Sequence, residues 1–139
     1  MSRPDLNLRD ASWAEVRQVW SWNNAPDVRR WSLDPHPIPL EDHERWYRAK
    51  LDDPAYHMWI AQADGDDVGV VRVEEDRKGV GLVSIALAAS ARGRGLGRRT
   101  LAGACRAYFR RRPNGALEAW IDTANNPGSK EAITPDSFH

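Results

Sequence analysis

The stretch Leu82-Val83-Ser84-Ile85-Ala86-Leu87-Ala88, with Arg92-Gly93-Arg94-Gly95-Leu96-Gly97 shortly after it, decides the reading of the fold. Its first part is strongly apolar and reads as a strand of residues 82–88. Its second part is a glycine-rich turn. A helix follows from about Gly97 to Arg111, closed by Pro113-Asn114-Gly115. A helix that opens directly from such a turn aims free N–H groups and the positive end of its dipole into it. The glycines let the backbone approach a ligand closely. Together these features form a pyrophosphate site, with Arg92, Arg94 and Arg98 adding cationic reach.

Working outward, the apolar period changes from strand to helix and back. Upstream lie two more strand patterns, His57 to Ala63 and Val68 to Glu74, joined by the turn Asp64-Gly65-Asp66-Asp67. Gly69 is a point of close approach in the second. Farther upstream, Leu6-Asn7-Leu8-Arg9 alternates like a short edge strand. Ser12-Trp13-Ala14-Glu15 has capping-box form and opens a helix that ends before Pro26. Val28 to Leu33 reads as a second short helix, and residues 34–39 as a loop, since alternate prolines forbid ladder or helix. A further helix covers about Leu40 to Leu51. Downstream, Leu117 to Asp122 is a strand, and Ser129 to about Thr134 reads as a short helix. The order predicts a mixed α/β fold in layers rather than a regular βαβ alternation.

Composition bounds the function. The chain has 139 residues, 41% of them hydrophobic, with 20 basic and 20 acidic side chains. That fits one domain over residues 1–139 and excludes a disordered chain. Zero net charge argues against nucleic acid or a membrane surface as partner. No apolar run approaches the ~20 residues of a membrane span, and no basic-then-apolar leader opens the chain. A single cysteine, Cys105, has no internal partner and points to a reducing cytoplasm. His36, His43, His57 and His139 lack metal-ligand spacing, so no metal is expected. The zero charge conceals a division. Residues 92–112 carry eight arginines and no acid, leaving 12 bases against 20 acids elsewhere. That block is either a solvated helix face or the seat of an anionic partner.

The turn is not a Walker loop, because no lysine follows it, and its third glycine has the wrong spacing for a dinucleotide fingerprint. It does fit Arg-x-x-Gly-x-Gly, at Arg92, Gly95 and Gly97. In this motif, and in its order of elements, the chain resembles the GNAT superfamily of acetyl-CoA-dependent N-acetyltransferases. Asn126-Pro127-Gly128-Ser129, with Ser137-Phe138 eight residues beyond, is similar to a second motif of that family. The resemblance covers residues 5–138. It implies a mostly antiparallel sheet flanked by helices, with the central strands splayed to admit the pantetheine arm. Leu87, Ala88, Arg92, Gly93, Arg94, Gly95, Leu96, Gly97, Arg98, Asn126 and Ser129 would then bind acetyl-CoA. One backbone N–H would polarise the thioester carbonyl. The base that deprotonates the amine would be Glu74 or Glu75 at a strand end, or His43.

Trp22-Asn23-Asn24, Val28-Arg29, Ser32, Ile38, His43 and Trp46 resemble the subgroup that acetylates the 4-amino group of nucleotide-linked amino sugars. Trp22 and Trp31 would be that acceptor's stacking residues, the other tryptophans being core. N-terminal protein acetyltransferases share a looser version of this pattern. Two departures matter. The position where the family often places a proton-donating tyrosine is Ile133, and the family's final strand is missing. The expectation is an enzyme acting on a small-molecule amine, in which a second copy covers the sheet edge left open. The alternative is a coenzyme-A-binding module with little catalysis.

Overall fold

The computed structural model describes residues 5–25, 36–91, 95–121 and 129–133. Its centre is a six-stranded sheet in the order β1-β2-β3-β4-β5-β6. These strands are Leu6–Asp10, Tyr56–Ala63, Asp66–Glu75, Val80–Leu87, Ala116–Ile121 and Ser129–Ile133. Every neighbouring pair is antiparallel except β4 with β5. Among the described residues three α-helices flank the sheet: α1 (Val16–Asn23), α2 (Leu40–Leu51) and α3 (Leu96–Arg111). The helix expected over 28–33 lies outside the described residues.

Strand alternation gives the sheet two apolar faces. On one, Met58, Ile60, Val70 and Ala86 pack with Val16 and Val19 of α1 and Tyr47 of α2. On the other, Trp59, Val71, Val73, Val83, Leu117 and Ala119 pack with Ala104, Cys105 and Tyr108 of α3. Cys105 is therefore a core residue, and burial pushes its thiol up to about 11. The β2–β3 hairpin closes on Asp64-Gly65, both with positive φ, the geometry that matches strand twist. Gly69 proves to be a true close approach. A Cβ there would sit 2.8 Å from the Ala86 carbonyl oxygen.

The C-terminal end departs from expectation. Residues 129–133 form strand β6, not a helix, and pair with β5 from Leu117↔Ile133 to Ile121↔Ser129. The preceding Pro127-Gly128 disfavours a helical nucleus, and five residues are too few to sustain one. The unpaired edge of β5 is a ready template for a strand. The edge read as open is therefore covered from within the chain, and the need for a second copy there disappears. The sheet's outer edges are β1 and β6.

Candidate active site

The site is built where the single parallel pair comes apart. The β4–β5 ladder registers Val80–Val83 against Ala116–Ala119 and ends there. Strand β4 runs on to Leu87 and β5 to Ile121. Both carboxyl ends point toward the start of α3. The Ala88 N–H donates to the Val68 carbonyl (2.7 Å), which fixes the phase of the ladder. Even-numbered residues of β4 turn their backbone to β3, and Ile85 and Leu87 turn theirs to the gap. Of the two backbone positions expected to face a coenzyme, Leu87 faces the gap. Ala88 is engaged at both groups, since its carbonyl accepts from the Ala91 N–H (2.9 Å).

Helix α3 opens beside this gap. Gly95 holds φ +72 at the N-cap, a left-handed conformation that glycine adopts without strain. Leu96 is 1% exposed and packs among Ala61, Val68 and Ala91, pinning the first turn to the sheet. Gly97 follows. A Cβ there would meet only Leu87 Cδ1, at 3.7 Å, an ordinary contact. Among the described residues, packing does not demand glycine at 97, so the turn leaves room for a group bound against the backbone. The N–H groups of the first turn could hold a coenzyme pyrophosphate there. Arg98 is exposed on that turn. Arg92, Gly93, Arg94 and Asn126 lie outside the described residues, and Ser129 begins β6 opposite Ile121.

The proposed bases occupy different surroundings. His43 is 2% exposed, with Nε2 at 2.9 Å from the Val16 carbonyl, between α1 and α2. Burial pulls its pKa down, outweighing that hydrogen bond, so the ring is neutral at pH 7. Glu74 is exposed at the end of β3 and pairs with Lys50 at 2.7 Å. Glu75 points to the other face. His57 Nδ1 must accept from Arg111 (3.2 Å), because a guanidinium only donates, so Nε2–H donates to Glu75 (2.6 Å). Burial works to raise the Glu75 pKa, but the His57 hydrogen bond and the Arg112 charge outweigh it and hold the carboxyl below its usual range. Glu75 thus latches β2, β3 and α3 together.

A cavity of about 300 Å³ joins Glu74, Asp76, Leu82 and Glu118. Glu74 pairs in register with Leu82, and Leu82 with Glu118, so the three line one face beside the splay. Leu82 is 36% exposed there. Glu118 escaped the sequence reading. Its signal was a carboxylate between Leu117 and Ala119 on a strand that becomes central only once β6 is in place. The segment likened to amino-sugar enzymes holds the fold together. Asn24 Nδ2 and Trp20 Nε1 both donate to the Ile38 carbonyl, and the Ile38 N–H donates to Asn24 Oδ1. Among the described residues no His, Cys, Asp and Glu cluster could hold a metal, and no helix is long and apolar enough to cross a membrane.

The chain belongs to the acetyltransferase (GNAT) domain family, which matches residues 5–133. Spermidine N-acetyltransferase from Vibrio cholerae, solved with CoA and spermine, is similar at TM-score 0.75 and 18% identity. That match covers 86% of this chain and 73% of the other. Aminoglycoside acetyltransferase AAC(6')-Ib, solved with coenzyme A, is similar at TM-score 0.76 and 17% identity, over 96% and 97%. A domain from Methanocaldococcus jannaschii is similar at 0.70 and 15%, over 84% and 77%. At these identities the likeness establishes the fold. None of these is a nucleotide-linked amino-sugar enzyme by name, so the expected closeness to that subgroup is unsupported. No curated protein sequence matches the chain.

Proposed function

We propose that this chain transfers the acetyl group of acetyl-CoA to a primary amine on a small, positively charged acceptor. The observation that carries the acceptor class is the cavity in which Glu74 and Glu118 flank the exposed Leu82, beside the β4–β5 gap. Carboxylates attract an ammonium, and Leu82 offers apolar contact to the methylenes between charged ends. A nucleotide-linked sugar carries a diphosphate instead, which these carboxylates repel. Of the residues that suggested such a sugar, Asn24 and Ile38 have polar atoms occupied in clamping the end of α1 to the loop before α2.

Bound acetyl-CoA supplies an activated thioester. The chain supplies orientation and proton removal. The first turn of α3 seats the phosphates, and the Leu87 backbone aligns the arm along β4. Glu118, or Glu74 through a water, takes the proton that the amine must lose before it attacks. His43, closed between two helices, supports the fold in this reading. With Ile133 where a tyrosine is usual, water protonates the departing thiolate.

A thiol-release assay with spermidine, kanamycin and a UDP-linked 4-amino sugar tests this. Turnover is expected with the cationic amines. Glu118→Gln should raise KM for them by about tenfold, the effect of losing about 1.4 kcal/mol of attraction. Turnover of the nucleotide sugar alone would reject the acceptor class. Saturable acetyl-CoA binding by calorimetry without turnover of any amine would favour a non-catalytic coenzyme-A module.

A further inference from the structure

The coenzyme turn draws on the first arginines of the basic block and leaves the later ones unexplained. A groove of about 650 Å³ runs between α3 and β1, lined by Arg99, Arg106, Arg110 and Arg111 and by all five residues of β1. Successive strand residues face opposite sides of a sheet, so a groove touching all five follows the strand's outer edge. That edge has no neighbour among the described residues. Two hydrogen bonds fix which backbone groups it presents. The Asp64 N–H donates to the Asp5 carbonyl (2.9 Å), and the Ala11 N–H to the Met58 carbonyl (3.1 Å). Odd-numbered residues of β1 therefore bond to β2, and Leu6, Leu8 and Asp10 turn their N–H and C=O groups into the groove.

The helix wall is cationic, and most of its charge meets no acid among the described residues. Arg111 is held by Asp10 at 2.6 Å and by His57. Arg99, Arg106 and Arg110 meet no acid among the described residues. Spacings of seven and eleven residues return to one side of a helix, so these three form a stripe. The stripe spans about 16 Å at 1.5 Å per residue. An extended chain covers that length in about five residues, which is the length of β1.

We propose that an extended acidic segment of a partner protein adds to the outer edge of β1 as a further strand, its alternate carboxylates engaging Arg99, Arg106 and Arg110. Backbone bonding to Leu6, Leu8 and Asp10 supplies register, and the arginine stripe selects acidic side chains on one face. Nucleic acid would satisfy the arginines and leave the strand edge unused.

Fluorescence anisotropy with the full chain tests the proposal. The probes are a labelled peptide alternating Glu and Val, the same peptide N-methylated at alternate residues, and a single-stranded oligonucleotide of similar charge. The alternating peptide is expected to bind, more weakly as salt rises. Both N-methylation and the double variant Arg106→Gln, Arg110→Gln should weaken it by about tenfold or more. Circular dichroism checks that the variant folds; both side chains are exposed. Equal binding of the N-methylated peptide, tighter binding of the oligonucleotide, displacement of the peptide by saturating coenzyme A, or no peptide binding would each overturn the proposal.

Discussion

Gly97 weakens the helix it belongs to. Glycine inside a helix is about 1 kcal/mol worse than alanine, and here a methyl group would find ordinary contact with Leu87. Gly97→Ala is therefore expected to raise the melting temperature while weakening acetyl-CoA binding, as read by thermal melts and calorimetry on one sample. Unchanged binding would mean that the open space serves no ligand. His43 gives a second residue-scale test. Its folded pKa is lowered by burial from the ordinary 6.5, so the unfolded chain takes up the proton first. Stability is fully present above about pH 6.5 and declines as pH falls toward the folded pKa. Urea melts at pH 7.5 and 5.5 should show this loss, and His43→Gln should flatten it. At this scale sequence is a poor guide. His43 and Asn24 look like site chemistry in one dimension, and only the packing around α1 reveals that they bond to the Val16 and Ile38 backbone instead.

The elements were far more legible, because periodicity is written in side chains that the core must accommodate. The alternation of Trp59, Val71 and Val73 with their neighbours placed β2 and β3, and the Arg-x-x-Gly-x-Gly turn placed the start of α3. The failure was β6. Ser129 to Ile133 carries no strong strand signature of its own, and it becomes a strand because β5 offers an unpaired ladder. Glu118 was missed for the same reason, since its strand is central only after that pairing. The crossing of β3 and β4 yields a prediction at this scale. Gly69→Ala pushes a methyl to 2.8 Å from both the Ala86 carbonyl oxygen and Leu87 Cδ2. Overpacking of this kind costs about 1–3 kcal/mol. Chemical denaturation should show that loss, and a variant as stable as the parent would show that β4 can shift to make room.

Across the whole molecule, the neutral charge resolves into two surfaces of opposite character. Residues 92–112 hold eight arginines and no acid, while Glu74, Asp76 and Glu118 gather at a cavity beside the paired part of β4 and β5. Buried cores on the two faces share the sheet as a common wall. Coenzyme bound between β4, β5 and α3 should stabilise the entire fold by mass action, by about 2.7 kcal/mol at a hundredfold excess over its dissociation constant. A melting temperature insensitive to acetyl-CoA would show that the folded chain does not bind it.

The lone parallel pairing of β4 with β5 also dictates an order of assembly. Strands β2, β3 and β4 close through short turns, whereas β5 reaches β4 only after α3 has crossed over the sheet. Contacts between neighbours in sequence form fastest, and those needing a long loop form late. The seam proposed to receive the coenzyme is therefore completed after the meander beside it. It is also the natural place for the folded chain to open first. Hydrogen exchange should find the amides of β5 less protected than those of β3, and acetyl-CoA should narrow that difference.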